Sequence, residues 1–159
     1  MLTPVIMVTR FNNNTWEQNK NWREKNKYQG CIYNVPVYIT DKIPLLESLF
    51  VIEMNNDTNK IMGIGKIFNK VYVDRSYIIY DDRNYNRHTY KGKCRLDIND
   101  IKDPNILEQI ENLQKRLFKG KSHFKRGYGI SQLTKEVNEE YYRFFTRELS
   151  FHQEQHLVE

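Results

Sequence analysis

The chain has 159 residues, with 25 Lys and Arg against 20 Asp and Glu, which gives a net charge of +5. This length is typical of one domain that needs no metal or disulfide to fold, and two cysteines exclude a disulfide scaffold. No apolar run reaches the roughly 20 residues of a membrane span. We therefore expect one domain over 1–150, a polar tail over 151–159, no cofactor, no membrane association and a polyanionic partner.

The composition also bears on origin and location. The chain contains no alanine and is rich in Asn, Lys, Ile and Tyr, which indicates an AT-rich genome such as that of a large DNA virus or a protist. The apolar start lacks the basic residues of a signal peptide. We expect an intracellular protein, in the cytoplasm or nucleus or in a viral factory, with Cys31 and Cys94 as buried free thiols.

The first third of the chain predicts two strands around a short helix. The apolar, β-branched run 4–9 predicts a first strand, and Thr15 is suited to cap a helix over 16–27. Trp16, within that helix, has two interpretations, either stacking on a base or packing at the edge of the core. The stretch 30–39 predicts a second strand that is interrupted at Pro36, which cannot donate to a ladder.

The most distinctive stretch is a predicted β-hairpin over 49–68. Apolar runs at 49–54 and 61–68 flank a polar connection of turn-forming residues. On the second strand Gly63 and Gly65 share one face, which leaves a groove without side chains. Either a ligand or another backbone approaches this groove closely or, as the more common case, a helix packs over it.

The middle of the chain predicts further strands. Short apolar runs at 70–73 and 77–80 are typical of strands, and 87–97 alternates between two faces. One of these faces carries Arg87 and Arg95 among four cations, so it is either a polyanion-binding surface or the solvated side of an antiparallel sheet. We weigh the two interpretations equally.

The last third predicts two helices around a basic loop. Asp103 and Pro104 are typical of a helix start, and apolar residues at helical spacing extend the helix over 105–119 until Gly120. Residues 115–126 then contain six cations and no acid, in a glycine-bearing loop with aromatic residues that suits a phosphate backbone. A solvated basic turn is the alternative. Thr134 caps a final helix with an aromatic face, and the spacing of His152 and His156 offers two metal ligands without a third.

This order of elements resembles the PUA-like superfamily, in particular its YTH and EVE-type branches. The similarity lies in the first strand and its Asn-bearing loop (7–14), the aromatic strand segment 31–34 and the hairpin 49–68. The resemblance implies an α+β fold, a small bent antiparallel or mixed β-barrel flanked by helices. It also implies a nucleic-acid reader, often of modified bases, in which Asn12, Asn13 and Tyr33 contact the base, with Tyr33 where the family has tryptophan.

These arguments together predict a module that binds RNA or DNA and reads a modified or flipped-out base in an aromatic pocket rimmed by the basic loop. The candidate binding residues are Asn12, Asn13, Trp16, Tyr33, Asn34, Arg87, Tyr90, Lys121, His123, Lys125 and Arg126. One alternative is an enzyme acting on a nucleotide or nucleic acid, with candidate groups Glu53, His88, Tyr90, Lys121 and His123. Another alternative is a viral host-interaction protein without catalytic activity.

Overall fold

The computed structural model describes residues 4–149 and residue 151. Within them the strands are β1 (Val5–Phe11), β2 (Cys31–Val35), β3 (Ser48–Asn55), β4 (Lys60–Phe68), β5 (His88–Gly92), β6 (Cys94–Asp97) and β7 (Ser131–Gln132). The α-helices are α1 (Asn13–Lys25), α2 (Pro104–Phe118) and α3 (Lys135–Arg143), and a π-helical turn (Phe144–Glu148) extends α3. Short 3₁₀ helices lie at Arg83–Asn86 and Ile98–Asp100.

The strands form two sheets. The larger sheet has the order β6-β4-β3-β1-β7, in which β1 runs parallel to β3 and the other pairs are antiparallel. The smaller sheet consists of β2 and β5, paired antiparallel. The α+β class predicted from the sequence is confirmed, whereas the hydrogen bonds among the described strands close no barrel.

Hydrophobic cores lie on both faces of the larger sheet. Ile6 and Val8 pack with residues of α2 and α3 on one face, whereas Met7 packs with β2 and α1 on the other. All three side chains are fully buried, which explains why β1 is a continuous apolar run rather than an alternating one. The sheet is therefore covered on both sides, and sites of binding are confined to its ends and edges.

The first helix begins earlier than the sequence predicts. Asn12, not Thr15, is the N-cap, since its side chain accepts a hydrogen bond from Thr15 N at 2.8 Å. The Thr15 hydroxyl in turn accepts from Asn12 N at 3.0 Å. This reciprocal capping box satisfies two amides at the helix start, and it places Asn12 at the junction between β1 and α1.

The strands predicted over 70–73 and 77–80 are wrong. This segment is extended, but it belongs to neither ladder. Side-chain amides replace a partner strand, since Asn34 donates to Tyr77 O at 2.7 Å and Asn86 Oδ1 accepts from Tyr80 N at 3.1 Å. We call residues 70–80 the crossing segment.

The single strand predicted over 87–97 is also divided. It breaks at Lys93 into β5, which pairs with β2, and β6, which pairs with β4. The alternation of apolar residues continues across the break, so the sequence pattern alone does not reveal the change of sheet. The two halves of the predicted cationic face therefore belong to different sheets.

The hairpin and the last two helices agree with the sequence. β3 and β4 form the predicted hairpin, Asp103 caps α2 with Pro104 in its first turn, and Thr134 caps α3. Both cysteines are buried, and neither forms a disulfide within residues 4–149 and 151. Phe151, expected in the polar tail, is instead buried and packs 6.1 Å from Phe50.

Gly92 marks the place where the two sheets meet. A Cβ atom there would lie 1.7 Å from the backbone oxygen of Lys66 on β4. This oxygen belongs to a strand and cannot rotate away as the end of a side chain would. The close approach of β5 to β4 therefore requires glycine at this position.

We expect Gly92→Ala to destabilise the protein by about 1–3 kcal/mol, since the methyl group overpacks the contact between the sheets. If the two sheets were not in close contact here, the same change would stabilise the folded protein by about 0.4–1 kcal/mol, because alanine lowers the conformational entropy of the unfolded chain. Urea unfolding at constant m-value measures the difference. Lys93→Ala, one residue on and exposed, is the control, and a stabilised Gly92→Ala would contradict the close approach.

Candidate nucleic-acid interface

A cleft of about 210 Å³ opens where the carboxyl ends of β1 and β2 meet the basic loop. Its floor and walls come from five separate parts of the chain. Its lining residues are Thr9, Arg10, Phe11, Asn12, Thr15, Asn34, Val35, Pro36, Asn56, Tyr80, Tyr85, Gly127, Tyr128 and Gly129. Pro36 follows the end of β2, since its backbone nitrogen has no hydrogen to donate to a ladder.

Tyrosines form much of the wall of the cleft. Tyr80 is buried, its hydroxyl accepts from Asn19 Nδ2 at 3.1 Å, and its ring meets Tyr85 edge to face at 6.4 Å. Tyr85 and Tyr128 are 42% and 68% exposed. The cleft thus combines one fixed ring with two accessible ones, an arrangement suited to stacking on a planar ligand.

Two buried polar atoms of the cleft residues have no hydrogen-bond partner. They are Arg10 Nη1, a donor, and Asn56 Oδ1, an acceptor. Burial lowers the pKa of Arg10 below its ordinary value, which reflects the cost of removing its charge from water. Each unsatisfied buried group costs about 1–3 kcal/mol, so a ligand that supplied an acceptor and a donor here would be stabilised.

The same two side chains hold the basic loop in place. Arg10 Nε donates to Phe124 O at 2.6 Å, and Asn56 Nδ2 donates to Lys125 O at 2.8 Å. Gly127 and Gly129 have φ of 110° and 75°, a region that suits glycine. The loop backbone therefore turns sharply on each side of Tyr128 and directs it to the cleft.

Of the predicted binding residues, Asn12 and Asn34 line the cleft. The oxygen of Asn12 caps α1, and its Nδ2 makes no hydrogen bond to any residue in 4–149 or 151. The Asn34 side chain is fully engaged, donating to Tyr77 O and Asn86 Oδ1 and accepting from Thr89 at 2.6 Å. Asn12 can contact a ligand, whereas Asn34 holds the crossing segment.

Three other predicted residues lie in the core rather than at the cleft. Tyr33 is 1% exposed and donates to Glu53 Oε2 at 2.6 Å. The Tyr90 hydroxyl accepts from Ile39 N at 3.0 Å. Trp16 is buried and meets Phe11 edge to face at 5.4 Å, so it follows the core interpretation and not the base-stacking one.

The remaining predicted residues surround the cleft or stabilise its neighbours. Asn13 is exposed beside Asn12, and its Oδ1 accepts from Asn55 Nδ2 at 3.0 Å, which joins α1 to the hairpin turn. Arg87 is exposed and donates to Asn84. His123 Nδ1 accepts from Lys125 N at 3.1 Å within the basic loop.

The cations of the basic loop lie outside the cleft lining. Lys121 and Arg126 are exposed and Lys125 is partly buried. Lys125 and Arg126 immediately precede Gly127, which does line the cleft. These two residues are thus the cations of the loop that are adjacent to the cleft lining in sequence, whereas Lys121 is six positions before Gly127.

The groove predicted over the hairpin glycines is filled by the protein itself. A Cβ atom at Gly63 would meet Arg95 and Glu53, and one at Gly65 would lie 2.3 Å from the Tyr33 hydroxyl. Neighbouring strands lie directly against these glycines, since a Cβ at Gly63 would also lie 2.9 Å from the backbone oxygen of Leu96. The close approach of another backbone, one of the alternatives expected from the sequence, is therefore what the structure shows at Gly63.

Arg95, predicted to belong to a cationic outer face, is buried. Its side chain is 6% exposed and bonds Glu53 through two nitrogens, at 2.6 and 3.0 Å. Burial disfavours the charged guanidinium, but the Glu53 carboxylate more than offsets this and raises the Arg95 pKa. This residue is therefore structural and does not contribute to a surface for polyanions.

The groups considered for catalysis are occupied elsewhere. Glu53 is bound by Arg95 and Tyr33, and His88 stacks on Tyr38 at 3.7 Å, where burial and then Arg87 lower its pKa. Within residues 4–149 and 151 no three His, Cys, Asp or Glu side chains cluster as metal ligands. The pair His152 and His156 lies outside the described residues.

Sequence reasoning missed several cleft residues. Arg10 lies at the end of an apolar strand and Asn56 in a hairpin turn. At such positions the sequence predicts a solvent-exposed polar residue. Tyr80 and Tyr85 lie in a segment assigned to strand and turn. Tyr128 had a visible signal, an aromatic residue between two glycines in a basic loop.

No protein-family model, curated protein or solved structure shows a significant match to this chain. The fold defines a mixed α+β protein with a tyrosine-walled cleft. None of the described helices is both long and apolar enough to cross a bilayer.

We expect Arg95→Met to destabilise the protein by about 3–5 kcal/mol, because it leaves the Glu53 carboxylate buried without its counter-charge. The loss should be smaller in a Glu53→Gln background, which keeps an acceptor for Tyr33 and removes the charge. A double-mutant cycle by urea unfolding measures the coupling. Equal losses in both backgrounds would show that the pair acts by packing alone.

Proposed function

We propose that this protein binds single-stranded or locally opened RNA or DNA and holds one unstacked base, modified or flipped out, in the tyrosine-walled cleft. The observation that carries this proposal is that Arg10 and Asn56, two of the residues that line the cleft, have an unpaired donor and an unpaired acceptor. Nucleobases offer acceptors and donors side by side on one planar edge. Both atoms are buried, so a base would engage them as the loop held by the same two side chains moves on binding.

Stacking supports the same ligand class. Tyr85 and Tyr128 present accessible rings at a cleft whose other wall is the fixed ring of Tyr80. Proteins commonly hold unstacked bases between such aromatic side chains. The free Nδ2 of Asn12 adds a donor at the rim.

The basic loop supports a phosphate contact next to the base. Its backbone is fixed by hydrogen bonds from Arg10 and Asn56, so its position depends on the residues that would bind the base. Lys125 and Arg126 then carry positive charge next to the cleft mouth. Such contacts predict affinity that falls steeply with salt.

The proposal is consistent with the resemblance to PUA-like domains. We also propose that the two sheets together form a barrel-like arrangement. We further propose an intracellular location, where nucleic acid is found. Support for the barrel is the close approach of β5 to β4 at Gly92, where the two sheets nearly join. The base contacts differ from those that the resemblance implies. Tyr33 is replaced at the cleft by Tyr80, Tyr85 and Tyr128.

Tyr128→Ala tests the proposal without disturbing the core, because its side chain is largely exposed. Loss of one stacked base costs about 1–3 kcal/mol, so we expect Kd to rise about 5- to 150-fold. The measurement is fluorescence anisotropy at low salt with single-stranded RNA and DNA oligonucleotides. Matched strands carry adenine or cytosine with and without methylation.

Tyr142→Ala is the control for loss of a tyrosine outside the cleft. Tyr142 is partly buried and packs against the helical core, so its urea unfolding is measured first, and the folded variant should bind as the wild type does. The proposal fails if the wild-type protein binds none of these strands. It also fails if Tyr128→Ala binds them as tightly as Tyr142→Ala does.

A further inference from the structure

A second and larger basic groove lies beside β4 and β5, with a volume of about 530 Å³. Its cations are Lys66, Lys91 and Lys93, and Tyr28 and Tyr72 supply aromatic surface. Its described lining contains no acidic residue. The proposed base cleft does not use this groove, so its charge needs a separate explanation.

Two of the cations in and beside this groove, Lys91 and Lys70, lie on tyrosine rings, whereas Lys66 lies over Phe50 and Phe151 at 5.4 and 5.6 Å. Lys91 Nζ lies 4.7 Å from the ring centre of Tyr72, 4.9 Å from that of Tyr77 and 5.9 Å from that of Tyr28. Lys70 Nζ lies 5.0 Å from Tyr72. These separations are typical of cation–π contacts.

The pattern continues along the crossing segment. Arg75 Cζ lies 4.8 Å from the ring centre of Tyr77 and 5.8 Å from that of Trp22. Cations and rings thus alternate over a continuous surface, which we call the tyrosine–cation strip. Its members are Trp22, Tyr28, Lys70, Tyr72, Arg75, Tyr77, Lys91 and the adjacent exposed Lys93.

The charge of the strip is held in position and is only partly offset, by Asp74, whose carboxylate accepts from the Tyr77 hydroxyl at 3.0 Å. Among the residues that the structure describes, Lys70, Arg75, Lys91 and Lys93 form no ion pair. A ring restrains a cation but supplies no opposite net charge. The cations therefore lose little side-chain freedom when a partner binds, and they retain their attraction for a polyanion.

The strip and the cleft lie at opposite ends of the smaller sheet and are joined by it. Val35 lines the cleft, and Gly92, which pairs with Cys31 at the other end of β2, lines the groove. The distance along β2 is about 13 Å, which equals the rise of about four stacked nucleotides at ~3.4 Å each and is covered by fewer nucleotides when the strand is extended.

The crossing segment follows the same path from groove to cleft. Tyr72 lines the groove and Tyr80 lines the cleft. Between them Val73 and Ile78 are 88% and 72% exposed. A nucleic-acid strand that extended from the cleft along the crossing segment would contact these apolar side chains between the positioned cations.

We infer that the tyrosine–cation strip binds the phosphate backbone of the single strand whose base occupies the cleft, which extends the site to several nucleotides. The part of this inference that places a base of the same strand in the cleft rests on the proposed function. A single strand fits better than a lipid surface, because the rings are occupied by cations and do not point free into a bilayer. A single strand also matches the alternation of cations with ring and apolar surface along the strip, since its phosphates and bases alternate in the same way.

The test compares two variants with equal loss of charge. The strip variant combines Lys70→Gln, Lys91→Gln and Lys93→Gln, and the control combines Lys102→Gln, Lys135→Gln and Arg143→Gln, exposed residues on the helical side. Anisotropy titrations use oligouridylates and oligodeoxythymidylates of 2 and about 9 nucleotides. The shorter strand has a single internucleotide phosphate and does not reach from the cleft to the strip even when extended. Each strand is measured over a range of salt, and Tyr128→Ala is included.

We expect the wild type and the control variant to bind the longer strands more tightly than the shorter ones, and the strip variant to lose this advantage. For the longer strands the plot of log K against log salt should have a negative slope. In the strip variant this slope should become shallower by about 2, at about 0.7 for each lost phosphate contact. Equal behaviour of the two charge variants would overturn the inference. So would failure of the wild type to bind either length.

The two proposals fail in different ways. If Tyr128→Ala has no effect on either length while the strip variant still loses the longer strands, the cleft proposal is wrong and the strip stands. If phosphatidylserine vesicles bind in a strip-dependent manner while the longer strands bind both charge variants equally, the strip is a membrane-facing surface and the inference is overturned.

Discussion

The buried contact of Glu53 with Arg95 and Tyr33 determines how the two sheets are placed. Glu53 lies on β3, Arg95 on β6 and Tyr33 on β2, and their hydrogen bonds of 2.6–3.0 Å join both sheets. A buried carboxylate is tolerated only when its charge and its lone pairs are matched. Gly63 and Gly65 provide the room, since any Cβ there would displace these side chains.

The position of β2 in turn creates the cleft. With β2 held against the larger sheet, its carboxyl end lies beside the carboxyl end of β1, and Pro36 prevents the ladder from continuing. Asn34, one residue before this end, uses its whole side chain to fasten the crossing segment. The cleft and the tyrosine–cation strip therefore share one support, although they lie at opposite ends of the smaller sheet.

The sequence was informative where structure depends on nearby residues. The hairpin, the capped α2 and the glycine-flanked Tyr128 all have signals within a few positions. The errors arise where distant contacts decide. Alternation predicts Arg95 on an outer face, because it does not reveal the partner Glu53, 42 residues away. The resemblance to PUA-like domains predicts Tyr33 at the base, whereas Glu53, 20 residues away, accepts from its hydroxyl in the core.

An unsatisfied buried group does not by itself indicate a binding site. Arg23 Nη2 is also without a partner, yet burial and the nearby charge of Arg95 both lower the pKa of Arg23, and its guanidinium carbon lies 5.3 Å from the Trp16 ring centre. The carboxylates of Glu53 and Asp97 act on Arg23 in the opposite direction and raise its pKa, so its charge is already partly balanced within the fold. Arg10 and Asn56 differ because a donor and an acceptor both belong to residues that line one cleft with accessible tyrosine rings, and both side chains fix the loop that carries Tyr128. This coupling would make base binding and loop position depend on each other, since a ligand that engages the free atoms also contacts the side chains that hold the loop.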